Sequence, residues 1–425
     1  MPDTAPPATA DVYVPKLATM LAQGYGLGDL RKDAAAGLTV AIVALPLSMA
    51  IAVASGVSPE RGLYTAIVGG FLVSALGGSR FQIGGPAGAF IVLVAATVAR
   101  FGIDGLLLTV LMSGAMLTIL GLLRLGTLVR LIPHAVTVGF TAGIAVTIFA
   151  SQIKELLGLR LAVPEPGPFI PKLAALGQAL PTFSPASFGA AVAVIATILA
   201  VRRWRPTWPG MLIAVAGVSV IAALAHLPIE TVGGRFGEIP RGLPAPHLPT
   251  FSWELAWAVL PTALAFTLLG AIESLLSAVV ADGMTGRQHR SNMELVAQGV
   301  ANIGSALFGG ISATGTIART ATNIRAGARS PMAGILHALF ILVFMMVAAP
   351  LAGFVPLAAL AGVLAVVAWN MAEKGELAKL SRHWRTAVVV IATFALTVLH
   401  DLMAGIGAGC LLAALIAGAD RLRRA

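Results

Sequence analysis

Charged side chains are scarce: Asp, Glu, Lys and Arg make up 11 % of the 425 residues, against about 25 % in an ordinary soluble domain. Hydrophobic residues make up 58 % before the 47 glycines are counted, so little polar surface remains to cover a water-soluble globule. That excludes a soluble domain, a disordered chain and a coiled coil. One cysteine, Cys410, excludes a disulfide framework and any cysteine-based zinc site. The histidines near span ends, His134, His337 and His400, are too scattered for metal ligation and read as packing or interfacial residues. No nucleophile, phosphate-loop or redox motif occurs, which leaves an enzyme or an ATP-driven pump without support. The first thirty or so residues lack the apolar run and cleavage site of a signal peptide; Pro2, Pro6 and Pro7 mark a flexible tail. The net charge of +10 is expected at the cytoplasmic membrane surface rather than on nucleic acid.

What fills the chain is a series of apolar stretches, most of them long enough to cross a hydrocarbon core of about 30 Å. They cover residues 33–54, 62–77, 86–98, 105–123, 132–157, 188–201 and 210–227, then 253–281, 293–308, 314–326, 333–349, 356–370, 386–399 and 402–419. A Gly- and Pro-rich connection over 228–249 divides them. The expected fold is an all-α polytopic membrane protein of about fourteen spans, seven on each side of the connection. Threaded from a cytoplasmic N-terminus, the loops place roughly 20 Lys/Arg inside and roughly 7 outside. Both termini are therefore expected in the cytoplasm.

A repeat is visible. Leu72-Val73-Ser74-Ala75-Leu76-Gly77-Gly78 precedes Gly84-Gly85-Pro86-Ala87-Gly88, and Ile303-Gly304-Ser305-Ala306-Leu307-Phe308-Gly309-Gly310 precedes Ser312-Ala313-Thr314-Gly315. Each time a span ends in small residues, a short extended piece follows, and a short helix begins. An odd number of spans per half makes the second copy inverted, and interrupted segments at matching places point to a transport site. Helices starting at about Pro86 and Thr314 would each present free N–H groups and about half a positive charge. Small residues let an anion reach those ends.

Two side chains stand out. Arg319 lies roughly 7–8 Å along the second short helix and is costly in lipid unless it is paired or lines an aqueous cavity. Glu273 has no basic residue within a helical turn and reads as a proton carrier, or a Na⁺ ligand when ionised. Ser277 is four residues on and could supply a second oxygen. A structural Glu273–Arg319 ion pair is the alternative. Asp401 reads as interfacial, and the run Glu373, Lys374, Glu376, Lys379 as a solvated loop or surface helix.

From about Leu30 to Leu422 these features resemble the sulfate permease (SulP, solute carrier 26) family. The resemblance is carried by Asp33 with Ala36-Gly37-Leu38-Thr39-Val40-Ala41, Pro46 with Met49-Ala50, Gly62-Leu63-Tyr64 and Gly85-Pro86-Ala87. Gly139-Phe140-Thr141-Ala142-Gly143, Ile239-Pro240-Arg241-Gly242-Leu243-Pro244, Glu294-Leu295-Val296-Ala297-Gln298-Gly299 and Arg319-Thr320 with Asn323 continue it in order. It implies a cytoplasmic segment 1–30, inverted repeats 31–227 and 252–422 around a connection 228–251, a core domain at about 33–124 and 252–350, and a gate domain at about 127–227 and 354–422. It also implies an anion held between spans 3 and 10 against spans 1 and 8. That assigns Leu47, Ile51, Gly85, Pro86, Ala87, Gly88, Thr314, Gly315, Thr316, Ala318 and Arg319 to substrate, and Glu273 and Ser277 to a coupling H⁺ or Na⁺. Many relatives carry Gln, Tyr and Ser where this chain has Leu47, Ile51 and Ala318. The site is thus less polar, which points away from sulfate toward a carboxylate or bicarbonate. Relatives usually end in a cytoplasmic STAS domain; this sequence stops at Ala425 with none.

The resulting expectation is a secondary active transporter in a bacterial inner membrane. It moves a small anion such as fumarate, bicarbonate or sulfate by proton-coupled alternating access, as a homodimer, with no cofactor beyond H⁺ or Na⁺. A nucleobase–cation symporter shares the architecture but places a carboxylate on span 10, where this chain has Arg319. A passive anion channel or motor, or a scaffold, is distinguished by its currents or by its lack of transport.

Overall fold

The computed structural model describes residues 13–127, 133–162, 165–206, 208–400 and 402–424. The tail prolines Pro2, Pro6 and Pro7, the start of the fifth expected span at Ile132, Asp401 and Ala425 lie outside the described residues. A short helix α1 (Lys16–Ala22) leads into α2 (Leu27–Ala54), then α3 (Pro59–Tyr64), a π-turn over Thr65–Gly69, and α4 (Gly70–Leu76). Strand β1 (Gly84–Pro86), a 3₁₀ turn over Gly88–Phe90 and α5 (Ile91–Leu122) follow. Then come α6 (His134–Leu157), α7 (Phe169–Ala179), α8 (Pro185–Trp204), α9 (Gly210–Leu224) and α10 (Val232–Phe236). The second half holds α11 (Trp253–Thr285), α12 (Ser291–Leu307), β2 (Ala313–Gly315), α13 (Ile317–Arg325) and α14 (Met332–Ala352). It ends with α15 (Leu357–Met371), α16 (Lys374–Leu380), α17 (Trp384–Leu399) and α18 (Leu402–Arg424).

Proline sets many of the helix starts. Pro133, Pro168, Pro209, Pro331 and Pro356 immediately precede helices, and Pro59 and Pro185 open theirs, positions where a missing N–H costs no intrahelical bond. Spans 3 and 4 run together as α5, broken at Gly102, whose φ of 69° and ψ of −171° leave the helical region as glycine alone does cheaply.

The inverted repeat shows in the packing. Helix α2 packs on α14 as α11 packs on α5; α6 packs on α17 as α15 packs on α8; α8 pairs with α9 as α17 pairs with α18. Within each helix group the pairings of the two halves are thus exchanged. One group of elements, α2–α5 with α11–α14, meets the other, α6, α8 and α9 with α15, α17 and α18, mainly through α2 against α9 and α15, and α6 against the 88–90 turn.

Glycine brings the backbones together, as it does where lipid offers no hydrophobic drive between helices. At the α5–α12 crossing a Cβ on Gly299 would lie 2.5 Å from the Gly114 carbonyl oxygen and one on Gly114 2.7 Å from that of Gly299. We expect Gly299→Val to cost about 1–3 kcal/mol by overpacking, read as a fall in Tm of the detergent-purified protein.

Seven of the described helices are long and apolar enough to cross a membrane unaided, with shorter apolar helices at Gly210–Leu224, Trp384–Leu399 and Ala404–Gly418. The expected helix starts need correction. Pro86 and Thr314 lie in strands, and the helical turns begin at Gly88 and Ile317. The extended pieces are longer than expected because β1 and β2 pair antiparallel, Gly84 with Gly315, Gly85 with Thr314 and Pro86 with Ala313. Unpaired backbone groups at that depth would be costly, and the ladder satisfies them. Helix α7 was unanticipated; the 373–379 run forms the surface helix α16.

Candidate functional site

A polar frame holds the two strands from behind. Gln298 Nε2 and Asn302 Nδ2 both donate to the Ala313 carbonyl, at 2.5 and 2.8 Å, and Asn302 Oδ1 accepts from Ala313 N at 3.0 Å. Ser274 Oγ donates to Gln298 Oε1 at 2.5 Å and accepts from Gly315 N at 3.1 Å. On the other strand Ile83 N donates to Thr320 Oγ1 and Asn323 Nδ2 to the Phe81 carbonyl, at 3.2 and 2.9 Å. Thr65, in the π-turn, accepts from Ile311 N at 2.7 Å. Such turns recur at functional sites because they turn one residue out of helical register.

In front of the strands lies a cavity of about 300 Å³ between the two groups of elements. Of the expected substrate residues, Leu47, Ile51, Pro86, Ala87, Gly88, Thr316, Ala318 and Arg319 line it, and so does Glu273. Gly85, Thr314 and Gly315 sit one layer behind, in the ladder. Ser277 is turned away: its buried hydroxyl donates to Thr320 Oγ1 at 3.2 Å, so it supplies no oxygen to the cavity beside Glu273. The opposite wall comes from Thr141 on α6, Met211 on α9, Val367, Asn370 and Met371 on α15, and Glu373. Sequence reasoning missed this wall because, Thr141 in the 139–143 stretch apart, its residues belong to no motif, and they are joined to the site only by the packing of α2 on α9 and α15 and of α6 on the 88–90 turn. Polar Asn370 at a span end and Glu373 immediately after it were the available signals.

Arg319 is 2 % exposed. Its Nη2 donates to Ser48 Oγ at 3.1 Å and to the Pro86 carbonyl at 3.2 Å, and Nη1 to the Gly84 carbonyl at 3.5 Å. Every partner is neutral, and Nε has none. Glu273 makes no ion pair or side-chain hydrogen bond among the described residues, so the expected alternative of a Glu273–Arg319 pair is not formed. Thr316, which precedes α13, also carries a buried hydroxyl without a partner. The cavity thus offers an uncompensated guanidinium, a free hydroxyl and the first N–H groups of α13 to a negatively charged guest.

An inverted repeat whose halves meet in paired strand–helix junctions, beside a cavity between two helix groups, has the architecture of a membrane transporter. The Sulfate permease family model matches residues 30–395, and the chain belongs to that family, whose members are transporters and not enzymes. It is 45 % identical over 394 residues to the "Putative sulfate transporter YvdB" of Bacillus subtilis (strain 168), covering 92 % of this chain and 74 % of that protein. It is 33 % identical over 400 residues to the "Bicarbonate transporter BicA" of Picosynechococcus, covering 91 % and 69 %. The solved transmembrane domain of a cyanobacterial bicarbonate transporter BicA superposes with a TM-score of 0.82 at 33 % identity, over 90 % of this chain and 98 % of that one. SLC26A9 shares the fold, with a TM-score of 0.85 at 19 % identity over 96 % and 68 %.

Proposed function

We propose that the protein is a secondary active transporter of a small inorganic or carboxylate anion, coupled to H⁺ or Na⁺ and working by alternating access. The observation that carries this reading is Arg319, buried in a cavity wall with only neutral partners. Leaving a buried charge uncompensated costs several kcal/mol, and an anion in the cavity offsets that cost. The names of the relatives, sulfate and bicarbonate transporters, agree with it.

In this reading Glu273, facing the same cavity without a partner, carries the coupling cation. When the anion leaves Arg319, the carboxylate can release its proton or Na⁺, so the two charges move together. The α2–α5 and α11–α14 group is the moving core, and the other group is the gate. The protein sits in the bacterial inner membrane with both termini cytoplasmic, as a homodimer, which puts the end of the cavity lined by Met211, Asn370 and Glu373 toward the cytoplasm.

The test is uptake of labelled bicarbonate, sulfate and fumarate into proteoliposomes under imposed H⁺ and Na⁺ gradients. Saturable uptake of at least one, accelerated by a gradient, is expected. Glu273→Gln should remove the gradient's effect, lowering gradient-driven uptake by about tenfold or more while anion exchange survives. Uptake of none by the wild-type protein overturns the proposal; a gradient effect that persists in Glu273→Gln removes the coupling role.

A further inference from the structure

Three charged side chains line the cavity: Arg319 and Glu273 on the core side and Glu373 on the gate side. Glu373 is thus the gate's single charge in this wall. Its neighbours are engaged elsewhere. Lys374 Nζ lies over the Trp369 ring, 2.8 Å from its centroid. Lys379 pairs with Glu376 at 2.7 Å, and His134 approaches Glu376 at 3.6 Å. The Glu373 carboxylate has no ion pair or hydrogen bond among the described residues. Its backbone has φ 24° and ψ 50°, in the left-handed region where side chains other than Asn and Asp are rare. An outlier of this kind at a site motivates a functional reading, since glycine would take the same bend without the charge.

The cavity therefore sets one cation against two carboxylates, or against one when Glu273 carries its coupling ion. Arg319 attracts a doubly charged guest twice as strongly as a singly charged one, but the carboxylates repel it twice as strongly. Arg319, in contact with the guest, still favours the second charge, but each carboxylate subtracts from that gain, while a dianion gives up far more hydration on entering. Specificity can be built from repulsion of the wrong ligand as well as attraction of the right one.

We infer that Glu373 is a specificity-determining residue that disfavours dianions, so that the transported species is a singly charged oxyanion of the bicarbonate class and not sulfate or a dicarboxylate. This rests on the anion-transport reading and selects within it. With a separation of about 10 Å and an effective dielectric of about 40, removing one charge changes the dianion-to-monoanion preference by about fourfold.

The experiment measures kcat/KM for labelled bicarbonate, sulfate and fumarate in proteoliposomes of the full chain, as wild type, Glu373→Gln and Glu373→Asp, at low and high ionic strength. The wild type is expected to favour bicarbonate. Glu373→Gln should raise sulfate and fumarate relative to bicarbonate by about fourfold. The shift should shrink at ionic strengths of about 0.5 M, where screening is short-ranged, and Glu373→Asp should hold the wild-type ratio. An unchanged ratio in Glu373→Gln, a change insensitive to salt, or a change confined to Na⁺ or H⁺ dependence overturns the inference while leaving anion transport standing. Wild-type preference for a dianion overturns it too. Absence of all uptake overturns the transport reading, and this inference with it.

Discussion

Arg319→Gln should abolish saturable anion uptake and leave the protein at least as stable as before. Hydrogen bonds to a charged group contribute about 1.5–3 kcal/mol each, so losing two to the bound anion lowers kcat/KM by roughly 100-fold or more. The stability change runs the other way. The guanidinium is buried among Ser48 and two backbone carbonyls with no counter-charge, and a neutral amide escapes much of its desolvation cost. Residues kept for function at the expense of the fold show this opposition. A radiolabel uptake assay beside a thermal melt in detergent reads both; a large fall in Tm would make Arg319 a structural residue. Arg319→Lys should recover only a fraction of the activity, because a point charge does not replace the planar fork that reaches Ser48 and Pro86 together.

Gly85→Ala is expected to cost function as well, mainly by displacing the arginine's tip. Gly85 has φ 154°, and a Cβ there would overlap Arg319 Nη1. The obstructing atom ends a flexible side chain, so the guanidinium gives way, and an alanine at this φ adds backbone strain of about 1–3 kcal/mol. Uptake should fall by about 10-fold or more, since displacement by about an ångström can cost that much, while Tm drops by only a few degrees. Gly62→Ala is the contrast: its Cβ would overlap the Ser48 carbonyl, which is backbone and cannot yield, so that variant should lose stability first. Equal losses of Tm in both would show that Gly85 serves packing alone.

These cases also show which parts of the site were legible in the sequence. Arg319 and Glu273 stood out because a charge inside an apolar stretch needs a reason, and the paired Gly-rich interruptions located the broken spans. The exact helix starts were not legible. Pro86 is a good first helical residue, yet it pairs with Ala313 instead, because a strand partner some distance away in sequence outweighs a local preference. Ser277 shares a helix face with Glu273, but Thr320, on another helix, turns its hydroxyl aside. Glu373 belonged to a charged run that read as solvated, and it is exposed; what was not legible is that the seating of α15 beside α2 also sets it at the edge of the cavity. In each case local periodicity was readable, and the residue's neighbour, supplied by a segment distant in sequence, was not.

The two-stranded ribbon formed by β1 and β2 has a consequence for biogenesis. One strand of it is made early and the other only once the second half is under synthesis, so a nascent first half must wait with the backbone groups of Gly84–Pro86 lacking their strand partners. A ribosome stalled before Ala313 should therefore leave an intermediate that insertion factors or proteases recognise, and one stalled well past Gly315 should not.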